Sequence, residues 1–98
     1  MRYQDVTENI QFELLVDDVQ LVILKPQRQR GPEANLVGFR PCADMIWRLA
    51  PPLASPDAWD GFVHLWIREG QVWVSSWSGF SLRIDHRSGK VVEQAFTK

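Results

Sequence analysis

The sequence predicts an all-β domain: about eight short strands forming two four-stranded antiparallel meanders. Three observations carry that expectation. Apolar and β-branched residues recur at period two in successive short runs, and no long window sustains apolar positions at i, i+3, i+4 and i+7. The breaks between runs hold Gly, Pro or paired Asp, residues suited to tight turns. The clearest stretch, residues 60–94, divides into runs 62–68, 71–77, 80–85 and 90–94, separated by Glu69-Gly70, Ser78-Gly79 and His86-Arg87-Ser88-Gly89.

Residues 1–9 are polar and lack a period, which fits a disordered lead-in or an irregular cap. From Ile10 the alternation is regular: Ile10, Phe12, Leu14 and Val16 point one way, Gln11 and Glu13 the other, giving a half-buried strand. Asp17-Asp18 is a two-residue break, tolerable because Asp accepts left-handed backbone angles. Residues 19–25 follow, apolar on both faces at Leu21, Val22, Ile23 and Leu24, as in an inner strand. Residues 26–35 hold two prolines, a glycine and only Ala34 as an apolar residue, so they read as an exposed, mobile loop. Strands at 36–40 and 45–50 flank the turn Pro41-Cys42-Ala43-Asp44. Residues 51–61 form a second long loop, stiffened by Pro51, Pro52 and Pro56, with Trp59 expected to pin it to the body. Within 95–98, Phe96 is a candidate for a last inward contact.

The chain of 98 residues forms one expected domain, 1–98, large enough for one core. A pseudo-repeat is expected over 10–50 and 60–96. An offset of 45 residues sets Leu82 and Ile84 on Val37 and Phe39, and Val91 and Val92 on Ile46 and Trp47. Hairpin 10–25 likewise corresponds to 62–77. Gly70-Gln71-Val72-Trp73-Val74-Ser75-Ser76-Trp77-Ser78-Gly79, continuing through Ile84-Asp85-His86-Arg87-Ser88-Gly89-Lys90-Val91, resembles a blade of the quinoprotein-type β-propeller repeat. Residues 36–47 resemble it more loosely, with Asp44 where the turn glycine would stand. The resemblance concerns turns and strands, so it implies a four-stranded unit and carries over no cofactor residue. The chain also resembles small uncharacterised bacterial proteins, a likeness that brings no function with it. Two units do not close a propeller. Either the chain assembles with copies of itself, or its meanders pack as a small sandwich or barrel, the favoured arrangement.

Register decides what the tryptophans do. A two-residue turn at Glu69-Gly70 sets Trp66 opposite Trp73, His64 opposite Ser75 and Phe62 opposite Trp77, with Val63, Leu65, Ile67, Val72 and Val74 on the other face. A strict two-residue turn at Ser78-Gly79 would then put Phe80, Leu82 and Ile84 on the aromatic side. A bulge near Ser75-Ser76 or Ser78-Gly79 would return Leu82 and Ile84 to the aliphatic side. Both solutions stay open.

Composition narrows function by exclusion. Net charge is −1, so nothing in the balance calls for nucleic acid or an anionic membrane, and no apolar run exceeds four residues. Cys42 is the only cysteine, which fits a reducing compartment, and no signal peptide is visible. A soluble, cytoplasmic protein is expected. His64 with Asp57 and Asp60 can be drawn as a metal or acid–base set, but the aspartates sit in turn contexts and no second histidine lies at ligand spacing. Ser75, Ser76, Ser78 and Ser81 lack a placed His/Asp partner, and Cys42 lacks a base. Lys25, Arg28 and Arg30 make a basic loop tempered by Glu33. No catalytic, metal or cofactor set emerges. The aromatic cluster of Trp47, Trp59, Phe62, Trp66, Trp73, Trp77 and Phe80 serves a core or a recognition surface. The leading expectation is a non-enzymatic module that binds another macromolecule or itself, with Trp59, His64, Trp66, Trp73, Trp77 and Phe80 as candidates. The alternative is a pocket between the meanders, lined by Trp66, Trp73 and His64, for a small apolar or sugar-like ligand.

Overall fold

In the computed structural model, residues 1–52 and 56–96 are described, and eight strands account for the sequence's periodic runs. They are β1 (Ile10–Val16), β2 (Val19–Leu24), β3 (Leu36–Phe39), β4 (Met45–Leu49), β5 (Phe62–Arg68), β6 (Gln71–Ser76), β7 (Phe80–Ile84) and β8 (Val91–Phe96). They form two antiparallel sheets in strictly sequential order, β1-β2-β3-β4 and β5-β6-β7-β8. The only helical turns among the described residues are short 3-10 segments at Tyr3–Asp5 and Thr7–Asn9. The sheets face each other as a sandwich. Val19, Leu21, Ile23, Leu36 and Trp47 from the first meet Phe62, Val72, Val74, Leu82 and Ile84 from the second in one buried layer.

The register of the second sheet is settled by loop length. Val72 pairs with Ile84 and Val74 with Leu82, so Trp77-Ser78-Gly79 is a three-residue connection, not a two-residue turn. Gly79 takes φ 105°, a conformation favouring glycine, and its N–H closes on the Ser76 carbonyl at 3.1 Å. The extra residue reverses parity and returns Leu82 and Ile84 to the aliphatic, inward face. A bulge between Phe62 and His64 makes a second correction: Phe62 lies opposite Ser76 rather than Trp77, and is buried. Bulges fall at matching points of both meanders, at Ile10/Phe12 and Phe62/His64, and again at Gly38/Phe39 and Arg83/Ile84. At the last pair, Met45 and Val91 hold the equivalent places, because the β7–β8 turn is one residue longer than its counterpart.

The outer face of the first sheet is apolar as well, which explains the unbroken run in β2. Val22, Leu24, Val37 and Phe39 are covered there by Val6, with Tyr3 and Ile10 packed beside them. The first nine residues are therefore a cap. Tyr3 meets Phe39 edge-on at 5.8 Å, and its hydroxyl donates to Glu13, whose carboxylate holds the phenol pKa above its ordinary value.

The loop at 26–35 departs from its expected exposure, since Gly31, Glu33 and Asn35 are buried. Glu33 accepts the Gln27 and Arg28 backbone N–H groups and the Trp59 indole N–H, the last at 2.9 Å. Asn35 donates to the Leu24 and Phe62 carbonyls and accepts the Phe62 N–H at 2.7 Å, stitching the two sheets together. Pro32 and Asp60 form a parallel bridge between the two long loops, and Trp59 does pin the second loop; its residues 53–55 lie outside the described residues. Buried polar groups survive only when paired, and of these partners Trp59 and Phe62 are far off in sequence.

Candidate functional site

The outer face of the second sheet is where the aromatic residues of β5 and β6 gather. Glu69 and Gly70 take left-handed angles in a two-residue turn, φ 52° and 74°, which sets Trp66 opposite Trp73. Alternation then sends Val72 and Val74 inward and Trp73 and Ser75 outward. The three-residue loop keeps Ser81 and Arg83 on that outer face, opposite Ser75 and Trp73, and β8 adds Glu93 and Ala95. The face thus has an aromatic half, a row of small residues (Ser75, Ser81, Ala95) and a charged border.

Trp66 and Trp73 stack with centroids 6.3 Å apart and planes 14° apart, and His64 stacks on Trp66 at 5.3 Å. Phe12 of β1 closes the column edge-on against His64 at 6.0 Å. Aromatic pairs contribute about 0.5–1.5 kcal/mol each beyond burial, and both indoles remain half-buried. Beside them lies a depression of about 220 Å³ bordered by Trp66, Arg68, Trp73, Ser81 and Ala95. On the far side of Trp73, a second of about 350 Å³ reaches Glu69, Gln71, Arg83 and Glu93. Arg83 is neutralised by Glu93 at 3.2 Å and also donates to Gln71. Arg68 makes no ion pair among the described residues.

The family model that matches residues 4–96 is described as a domain of unknown function (DUF7957). The chain belongs to that family. No curated protein and no solved structure matches it.

In this DUF7957 chain the six candidate residues part company. His64, Trp66 and Trp73 stand together on the outer face. Trp59 is engaged with Glu33, Trp77 lies 63% exposed in the β6–β7 loop, and Phe80 points inward beside Phe96 at 5.1 Å. Between the meanders lies a buried layer of aliphatic residues with Trp47 and Phe62, while Trp66, Trp73 and His64, the lining expected for a pocket there, stand on the outer face. His64 is not brought to Asp60, whose buried carboxylate accepts Gly61 N–H, Ser78 N–H and the Ser78 hydroxyl. Among the described residues no group of three or more His, Cys, Asp or Glu is arranged to hold a metal ion. Sequence reasoning missed Phe12 and Arg68 as neighbours of the column. The first belongs to the other meander, and the second follows from period two along β5.

Proposed function

We infer that this chain is a non-catalytic binding module that holds a polypeptide partner on the outer face of its second sheet. The observation that carries this reading is the Trp66–Trp73 stack bordering a depression with small residues, Ser81 and Ala95, on its far side. An apolar side chain of the partner seats beside Trp73, and a neighbouring carboxylate meets Arg68. Indoles held in place before binding lose little side-chain freedom on contact, which is why tryptophan recurs at the centre of interfaces. A cytoplasmic location belongs to the same reading, supported by the single exposed thiol of Cys42.

Peptides selected from a displayed random library on the wild-type chain test it. They are expected to carry an aromatic or aliphatic residue next to an acidic one and to shift tryptophan emission. Affinity should fall at least about tenfold, roughly 1.4 kcal/mol, in Trp73→Ala, and measurably in Arg68→Glu, while Trp77→Ala binds normally. Peptides that bind Trp73→Ala unchanged would refute the site. Response to a sugar panel and to no peptide would replace it with the small-ligand reading at the same depression.

A further inference from the structure

The four edges of the sandwich are not treated alike. β1 and β5 lie against one another. At β4 the N-terminal segment covers the start of the strand and the turn before it, through Met45 N–H on the Met1 carbonyl, Tyr3 N–H on the Ala43 carbonyl and the Arg2–Asp44 bridge. β8 has no such cover. All six of its residues are exposed, and among the described residues none makes a backbone hydrogen bond outside the sheet. An open edge presents a row of N–H and C=O groups ready to pair with another strand, and proteins usually guard it with Pro, Lys or inward-pointing charge. β8 contains neither Pro nor Lys, and its one charge, Glu93, is held by Arg83 on the outer face. On the inner face Phe96 lies opposite Phe80 and Gln94 opposite Leu82, and at the Arg83/Ile84 bulge Val91 and Val92 together oppose the inward-facing Ile84. Val92 and Phe96 are 51% and 62% exposed. The apolar layer therefore continues past the cover that the first sheet provides.

We propose that β8 is the contact strand of a two-fold homodimer, pairing antiparallel with β8 of a second copy so that two four-stranded sheets become one of eight. Self-complementarity selects a second copy as the occupant. In a two-fold antiparallel pair, directly opposed residues share a face, so the axis must pass through a residue position. With the axis at Gln94, Val92 of each copy meets Phe96 of the other on the inner face. Glu93 meets Ala95 on the outer face, and the two Gln94 amides face each other. An axis at Glu93 would instead oppose two carboxylates, which is unfavourable. Pairing one six-residue strand is a small contact, so the dimer forms with rising concentration. The proposal stands apart from the peptide-binding reading, because it uses a different surface.

Sedimentation of the full chain from micromolar to near-millimolar concentration tests it. The expected mass rises from 11.3 kDa towards twice that value. Val92→Lys should remain monomeric with an unchanged melting temperature, and Trp73→Ala should dimerise as wild type does. In a Cys42→Ser background, Gln94→Cys is expected to oxidise to a covalent dimer. Opposed Cα atoms lie about 4.5–5.5 Å apart in such pairs, within disulfide reach. Glu93→Cys should not cross-link, because its two thiols would be offset along the strands. A chain that stays monomeric throughout, a dimer indifferent to Val92→Lys, or cross-linking through position 93 but not 94 would each overturn the proposal.

Discussion

The Asp85 carboxylate accepts the Arg87 backbone N–H at 3.0 Å and the Ser88 hydroxyl at 3.1 Å, bracing the turn before β8. The Arg87 N–H foremost, then the Ser88 hydroxyl, favour the ionised form and hold its pKa below the ordinary aspartate value despite some desolvation. A depressed folded-state pKa contributes stability that is present above about pH 4 and lost as pH falls through the lower folded value. Asp85→Asn is therefore expected to flatten the acid limb of stability measured by urea titration at successive pH values. An acid limb as steep as wild type's would contradict that role. The carboxylate is exposed, so the effect is small. At this scale the sequence was partly legible. Trp66 and Trp73 could be paired from the Glu69-Gly70 turn alone, because two residues of turn leave one register. Glu33 and Asn35 could not be recognised as buried, since nothing local reveals that Trp59 and Phe62 supply their partners.

Strand positions were legible element by element, because alternation and turn residues agree at nearly every boundary. Which face of β7 points inward was not, because Ser78-Gly79 has the chemistry of a two-residue turn while the structure also takes Trp77 into the loop. Parity in that loop decides the core. Deleting Ser78 would rotate Leu82 and Ile84 outward and bring Ser81 and Arg83 inward, since a one-residue slip exchanges the faces of a strand. The deletion is expected to abolish the near-ultraviolet circular dichroism of the folded chain. Inserting one glycine after Ser78 should preserve it, because a longer loop can keep the same pairing at small entropic cost. A folded deletion variant would show that β7 tolerates either face. The N-terminal segment stayed open between a disordered lead-in and an irregular cap for a different reason: 3-10 turns have no apolar period, and of the first nine residues only Val6 is buried.

Across the whole molecule, Trp47 keys one meander to the other. Its indole lies over Gly38 of its own sheet and against Gly89 in the β7–β8 turn, where any Cβ would collide with it. Its N–H donates to the His86 carbonyl at 2.8 Å. At the same end, Asp17 and Asp18 of the first meander meet His86 and Arg87 of the second, at 2.8 Å for Asp17–His86 and 3.1 Å for Asp18–Arg87. Trp47→Ala is expected to cost about 3–5 kcal/mol, combining lost burial with an unfilled cavity. Where that loss falls follows from the strictly sequential strand order. Every pairing joins chain neighbours, so each meander can zip from its own hairpins in microsecond steps without waiting for a distant strand. The docking of one sheet on the other is then expected to come late. In stopped-flow measurements Trp47→Ala should leave refolding almost unchanged and accelerate unfolding by most of the lost stability. Slowed refolding would instead place sheet docking early. A domain made of two locally wired halves is thus expected to owe its lifetime, more than its speed of assembly, to the side chains packed between them.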